Sequence, residues 1–269
     1  MKHTTPTARI LHVDLDPFFV GVERARDASL RDRPLVIGGS GELGRVAAAS
    51  NEARSAGVCA GMPMGLARRL CPDAVFRPGD FDSYARVCDE TTRILTSISA
   101  RVERPSVDEG FVDLATTALP RRRAVMAAES VRDAIQRRLG LDAAFGLASS
   151  RLAARIASRW ARPRGFLLLL PEHEESFVRR QSLDVLTELP DHVRAGLVGH
   201  GLTTLAHIAD ATEETLRSLI GRLAADRLRA DLDPRRELPI ATLSPPDRGG
   251  RAMEQQYHLF PRRPVATTA

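Results

Sequence analysis

Hydrophobic and polar positions alternate through ARILHVDL (residues 8–15), with Leu11, Val13 and Leu15 on one side and Ile10, His12 and Asp14 on the other. A repeat of two predicts a strand. The pattern then changes, and DPFFVGVERARDASL predicts a helix with Asp16 as N-cap and Pro17 as its first residue. PLVIGG predicts a short buried strand, and RVAAASNEAR with GVCAGMPMGLARRLCP a strand, a turn and a short helix. Helical spacing returns at Tyr84, Val87, Cys88, Thr91, Ile94 and Leu95. RVERPSVDEGFVDL predicts a hairpin and RRRAVMAAESVRDAIQRRLGL an amphipathic helix stopped by Gly140. DAAFGLASS, RLAARIASRWARP and GFLLLLP follow as strand, helix and strand.

This order predicts an α+β sheet of split ferredoxin-like form, with helices on one face and residues 25–79 as an insertion. From about residue 171 through 231 the pattern is wholly helical, a separate small domain. The stretches DLDPRRELP and LSPPDRGGR then predict a disordered tail with few core residues.

Composition sharpens this only in places. The 269 residues suffice for one large domain or two to three small ones. The formal net charge is +5, supplied almost entirely by arginine, whose fork suits phosphates and raises a nucleic-acid or nucleotide partner. An aromatic content of 4% argues against a single-strand binder built on stacking. Cys59, Cys71 and Cys88 form no CxxC pair, which suits reduced thiols and speaks against zinc. No apolar run reaches membrane length and no signal peptide is visible, so a soluble, cytoplasmic protein without a membrane partner is expected.

The candidate chemistry begins at PSVDEGFVDL (residues 105–114). On a regular strand Asp108 and Glu109 would point to opposite faces. They converge only if the strand breaks there, and Gly110 is expected to supply the backbone freedom. Alone, the segment describes a hairpin tip with solvated acids. In a ferredoxin-like sheet, however, the first strand lies beside the hairpin, which brings Asp14 next to both. Three carboxylates at one sheet edge repel strongly without a cation. Paired Mg²⁺ ions answer that need, and two metals suit phosphoryl or nucleotidyl transfer.

HVDLDPFFVGVE, ASNEARSAGV, MPMGLARRLCP, GDFDSYARV, PSVDEGFVDL and GLASSRLAARIASRWARPRG occur in this order. Together they resemble the Y-family translesion DNA polymerases of the DNA polymerase IV type, over about residues 9–236. The resemblance implies a right-hand polymerase: a ferredoxin-like palm (1–24 and 80–170), a small fingers insertion (25–79) and a helical thumb (171–236). It places Asp14, Asp108 and Glu109 on the metal-binding carboxylates, the Leu15 carbonyl on the backbone ligand, and Phe19 on the steric gate that excludes a 2′-hydroxyl, with Phe18 in the same wall. Without the flanking acids a Phe-Phe pair at a helix start is simply core. Arg54, Tyr84 and Arg155 match positions that contact the incoming triphosphate, although the family usually has lysine at Arg155. Each of these three, taken alone, reads as a solvated surface group.

The chain departs from the family at Ala48 and Asn51, where a Thr and a Tyr usually contact the nucleotide. Asp191-His192 stands where the thumb's helix-hairpin-helix has a Gly-x-Gly turn. The family's C-terminal little-finger domain is expected to be missing. Within the tail, 237–269, Gln256, Leu259 and Phe260 of QYHLF fit the peptide by which bacterial polymerases of this kind hold the sliding clamp. The expected activity is thus DNA-directed DNA synthesis with two Mg²⁺, primer-template DNA, dNTP and the clamp as partners. The alternative is a catalytically impaired accessory protein that binds DNA and clamp and recruits another polymerase or subunit. A palm-fold nucleotide cyclase would use similar acids but would need neither the insertion nor the tail.

Overall fold

The computed structural model describes residues 9–15, 17–114, 121–186, 189–232 and 240. The first strand, β1 (Ile10–Asp14), is the middle of a five-stranded sheet of order β5-β6-β1-β7-β8. Its partners are β6 (Glu109–Asp113) and β7 (Ala144–Ala148), both antiparallel to it. The short β5 (Val102–Glu103) pairs antiparallel with β6, and β8 (Phe166–Leu168) runs parallel to β7. The hairpin strand therefore lies beside β1, as expected.

The alternation in β1 sorts its residues between two cores. Leu11, Val13 and Leu15 pack with Phe18, Cys88, Leu95, Val131 and Ile135. These come from α1 (Phe18–Arg26), α4 (Phe81–Thr96) and α5 (Arg121–Leu139). Ile10 packs on the other face, with Phe111, Ala148, Ala153, Ala154 and Ala157. The last three belong to α6 (Arg151–Trp160). Helices thus cover both faces, not one, and the polar positions His12 and Asp14 are buried at 0% and 2% exposure.

Small residues make this close cover feasible. A Cβ on Gly146 would stand 2.0 Å from the Ala154 carbonyl oxygen, so only glycine lets α6 rest on β7. The entry to α1 differs slightly from expectation. Pro17 is the N-cap, its carbonyl accepting from Gly21 N at 2.8 Å, and Asp16 lies outside the described residues.

Between α1 and α4 the chain forms a three-stranded sheet of order β3-β2-β4. Its strands are β2 (Leu35–Gly38), β3 (Val46–Ala49) and β4 (Val75–Pro78), flanked by α2 (Asn51–Ser55) and α3 (Met64–Leu70). Leu35, Ile37, Ala47 and Ala48 join the core shared with α1 and α4, so the insertion is welded to the main sheet. Val36, Val46, Met64 and Ala67 form a separate cluster on its far side.

Beyond β8 come α7 (Pro171–Arg179), α8 (Asp191–Gly199), α9 (Leu205–Asp210), α10 (Glu213–Ile220) and α11 (Arg222–Leu232). They pack around Leu183, Val193, Leu197, Leu205, Ile208 and Leu216. Asp191 and His192, expected in an interhelical turn, instead open α8 behind the N-cap Pro190. Within the tail expected to hold few core residues, Ile240 is buried beside Ile10 and Phe111. Among the described residues, no helix is long and apolar enough to cross a membrane.

Candidate active site at the end of β1

Register brings the acids together. Asp14 stands opposite Glu109 across the β1–β6 ladder, so both side chains lie on the α6 face. Asp108 immediately precedes β6, and its carbonyl accepts from Leu15 N at 2.8 Å. Its carboxylate accepts from Ser106 Oγ at 2.5 Å, while the same Ser106 oxygen accepts from Glu109 N at 3.2 Å. Gly110 has a role other than the expected one. It sits within β6, paired with Val13, and serves no turn. A Cβ there would stand 2.9 Å from Leu95 Cδ1 and 3.1 Å from Arg104 Cδ, so close approach, not backbone freedom, favours glycine.

The repulsion expected to demand a cation is answered within the chain by arginine. Arg162 holds Asp14 Oδ2 with Nε at 2.8 Å and Nη2 at 2.6 Å. Arg155 Nη2 lies 3.1 Å from Glu109 Oε2, and Arg159 Nη2 lies 3.5 Å from Oε1. One turn earlier, Arg151 forks onto Glu103 at 2.9 and 2.5 Å and lies over the Phe111 ring. Arg151, Arg155 and Arg159 recur every four residues, which places them on one helix stripe. Burial alone would raise the Glu109 carboxyl; the His12 ring and the two guanidiniums outweigh it and hold the group down at about 2.

His12 itself is pushed below its ordinary value by burial, against the pull of Glu109, so the ring is neutral near pH 7. Its Nδ1 lies 2.7 Å from Ser158 Oγ, whose proton goes to the Arg155 carbonyl at 2.8 Å. The ring's Nε2 faces Glu109 Oε2 at 3.8 Å. With the ring neutral, the formal positive charge at Glu109 sits on the arginines.

The other expected site residues divide. Arg155 is brought to the carboxylates. Phe18 and Phe19 are buried, edge-on to each other at 5.5 Å, and Phe19 stacks edge-on against Tyr84 at 4.7 Å. Tyr84 is fully buried and its hydroxyl donates to Glu23 Oε1 at 2.8 Å, which corrects its reading as a surface group. Arg54 is exposed on α2, and Ala48 is buried in β3. Gln256, Leu259 and Phe260 lie outside the described residues. His12, Arg104, Ser106, Arg159 and Arg162 were missed, although the four-residue arginine spacing in α6 was a readable signal.

Three carboxylates and the Leu15 carbonyl are hard oxygen donors, the chemistry a divalent cation of the Mg²⁺ class takes. Among the described residues no three His, Cys, Asp or Glu side chains are grouped closely enough to hold a metal as they stand. The donor types fit, and arginines and Ser106 engage the three carboxylates.

The impB/mucB/samB family model matches residues 13–159. The chain is 38% identical over 243 residues to DNA polymerase IV of Streptomyces coelicolor, covering 88% of this chain and 50% of that relative. It is 36% identical over 235 residues to DNA polymerase IV 2 of Mesorhizobium japonicum, covering 86% of this chain and 55% of the relative. The chain thus spans about half the length of the curated relatives it matches. In fold it is similar to DinB from Sulfolobus solfataricus, with a TM-score of 0.81 at 24% identity, covering 87% of this chain and 69% of that one. A Dbh ternary complex aligns with a TM-score of 0.77 at 23% identity, again over 87% and 69%. With Asp14, the hairpin acids and the Arg151–Arg159 stripe inside the matched span, the chain belongs to the impB/mucB/samB family.

Proposed function

We propose that the chain is a DNA-directed DNA polymerase of the translesion type, in which a primer 3′-hydroxyl attacks the α-phosphate of a dNTP and pyrophosphate leaves. The observation that carries this reading is the Asp14–Glu109 register pair with Asp108 beside it, at one end of a ferredoxin-like sheet. On this reading the palm is 1–24 and 80–170, the fingers 25–79 and the thumb 171–236. Asp14, Asp108, Glu109 and the Leu15 carbonyl would hold two Mg²⁺, which when bound polarise the phosphate and stabilise the attacking and leaving oxygens. Arg155 would exchange Glu109 for the triphosphate, where its fork offsets developing negative charge. Arg54 would reach the same phosphates from the fingers, and Phe19 would exclude the 2′-hydroxyl. Gln256, Leu259 and Phe260 would anchor the chain to a sliding clamp, as suits a cytoplasmic replication partner.

Primer extension with Mg²⁺, with and without clamp, tests this. Incorporation abolished by Asp108→Ala is expected; no Asp108-dependent incorporation under either condition overturns the enzyme reading. The arginine pairing of the acids favours a second reading, a DNA- and clamp-binding accessory protein that recruits another polymerase. Calorimetric titration of dNTP with Mg²⁺ separates the two, because only the polymerase requires a saturable, Asp108-dependent site.

A further inference from the structure

We propose that Arg104 is a positioning residue that fixes where Asp108 and Glu109 stand relative to β1; the inference rests on the polymerase reading above. Arg104 Nη2 donates to the Val107 carbonyl at 2.5 Å and Nε to the Glu109 carbonyl at 2.9 Å. One guanidinium therefore grips the backbone on both sides of Asp108. Its remaining arm, Nη1, donates to Thr92 Oγ1 at 3.3 Å. The Thr92 hydroxyl donates its own proton to the Cys88 carbonyl at 2.9 Å, so toward Arg104 it acts as the acceptor. The loop bearing the acids is thereby tied to α4, deep in the main core.

The choice of acceptors is what makes this a positioning device. These three bonds of Arg104 go to uncharged oxygens, which leaves the carboxylates to other partners. The planar fork matters, since a lysine ammonium cannot hold the same pair of carbonyls at fixed separation. Gly110 completes the arrangement: a Cβ there would press on Arg104 Cδ at 3.1 Å and Leu95 Cδ1 at 2.9 Å. The glycine behind the acidic pair is thus the space through which the arginine stem passes. Ser106 and Asp108 then set the carboxylate on a backbone that Arg104 already holds.

The test compares wild type, D108N, R104M and R104A by Mn²⁺ titration, hydrogen exchange and single-nucleotide kinetics. R104M keeps an unbranched apolar stem and removes every donor. Its Mn²⁺ affinity is expected to fall about tenfold, in line with the loss of a group that orients ligands. Faster exchange should be confined to residues around 104–110, with kcat lowered and KM for dNTP held within about twofold. Added guanidinium ion, but not ammonium, should partly restore R104A. Wild type showing D108N-sensitive Mn²⁺ binding while R104M binds equally well overturns the positioning role alone. Exchange rising across the whole sheet in R104M makes the residue merely structural and also overturns it. A wild-type chain without D108N-sensitive Mn²⁺ binding overturns the polymerase reading, and this proposal with it.

Discussion

Replacing Glu109 by glutamine should remove an acid-dependent part of the folding free energy whose size follows from the site. The Glu109 side chain is 14% exposed, with arginine nitrogens at 3.1 and 3.5 Å. Its carboxyl is held at about 2, against an ordinary value of 4.5. At about 1.4 kcal/mol per pH unit this corresponds to about 3 kcal/mol favouring the folded, ionised form. Because the folded value is the lower one, that stability is present above about pH 4.5 and is lost as pH falls toward 2. About 2 kcal/mol of it is gone by pH 3. E109Q cannot titrate, so the gap between wild type and E109Q should shrink by about 2 kcal/mol from pH 6 to 3. Urea unfolding followed by circular dichroism at stepped pH measures the gap. A gap that stays constant, or widens toward acid, refutes the claim that His12 and the arginines hold Glu109 ionised.

The Arg162 ion pair with Asp14 is about a third exposed on the arginine side and is discounted for solvent screening to about 1 kcal/mol. R162M should accordingly bind Mn²⁺ about fivefold more tightly in a titration, and weaker binding would show that Arg162 assists the cation instead of competing with it. Y84F should lower stability by about 1–3 kcal/mol in thermal or urea unfolding, because it strips the buried Glu23 carboxylate of a donor at 2.8 Å. Glu174 accepts from the backbone nitrogens and hydroxyls of both Ser149 and Ser150 at 2.5–2.9 Å, tying α7 to the start of α6. E174A should speed hydrogen exchange in the first turn of α6 and cost about 1–3 kcal/mol in unfolding experiments; an unchanged exchange pattern would deny the tie.

Local periodicity, together with one long-range rule, made much of this protein legible. The alternation in ARILHVDL set the strand and its two faces, and helical spacing set α4, α5 and α6, because such patterns depend on neighbours a few residues apart. The ferredoxin-like order of elements brought Asp14 beside the hairpin, and the observed Asp14–Glu109 register bears this out. What the sequence did not disclose was how the charges are compensated. Arg162 meets Asp14 across 148 positions of chain, a pairing decided by how closely α6 rests on β7 over Gly146. Taken alone, Tyr84 read as a solvated surface group, whereas packing buries it and gives its hydroxyl to Glu23. Gly110 looked like a turn until Arg104 and Leu95 were found in the space its missing side chain leaves. Residue type and spacing determined which acids meet; packing distance across the sheet decided which partner each one holds.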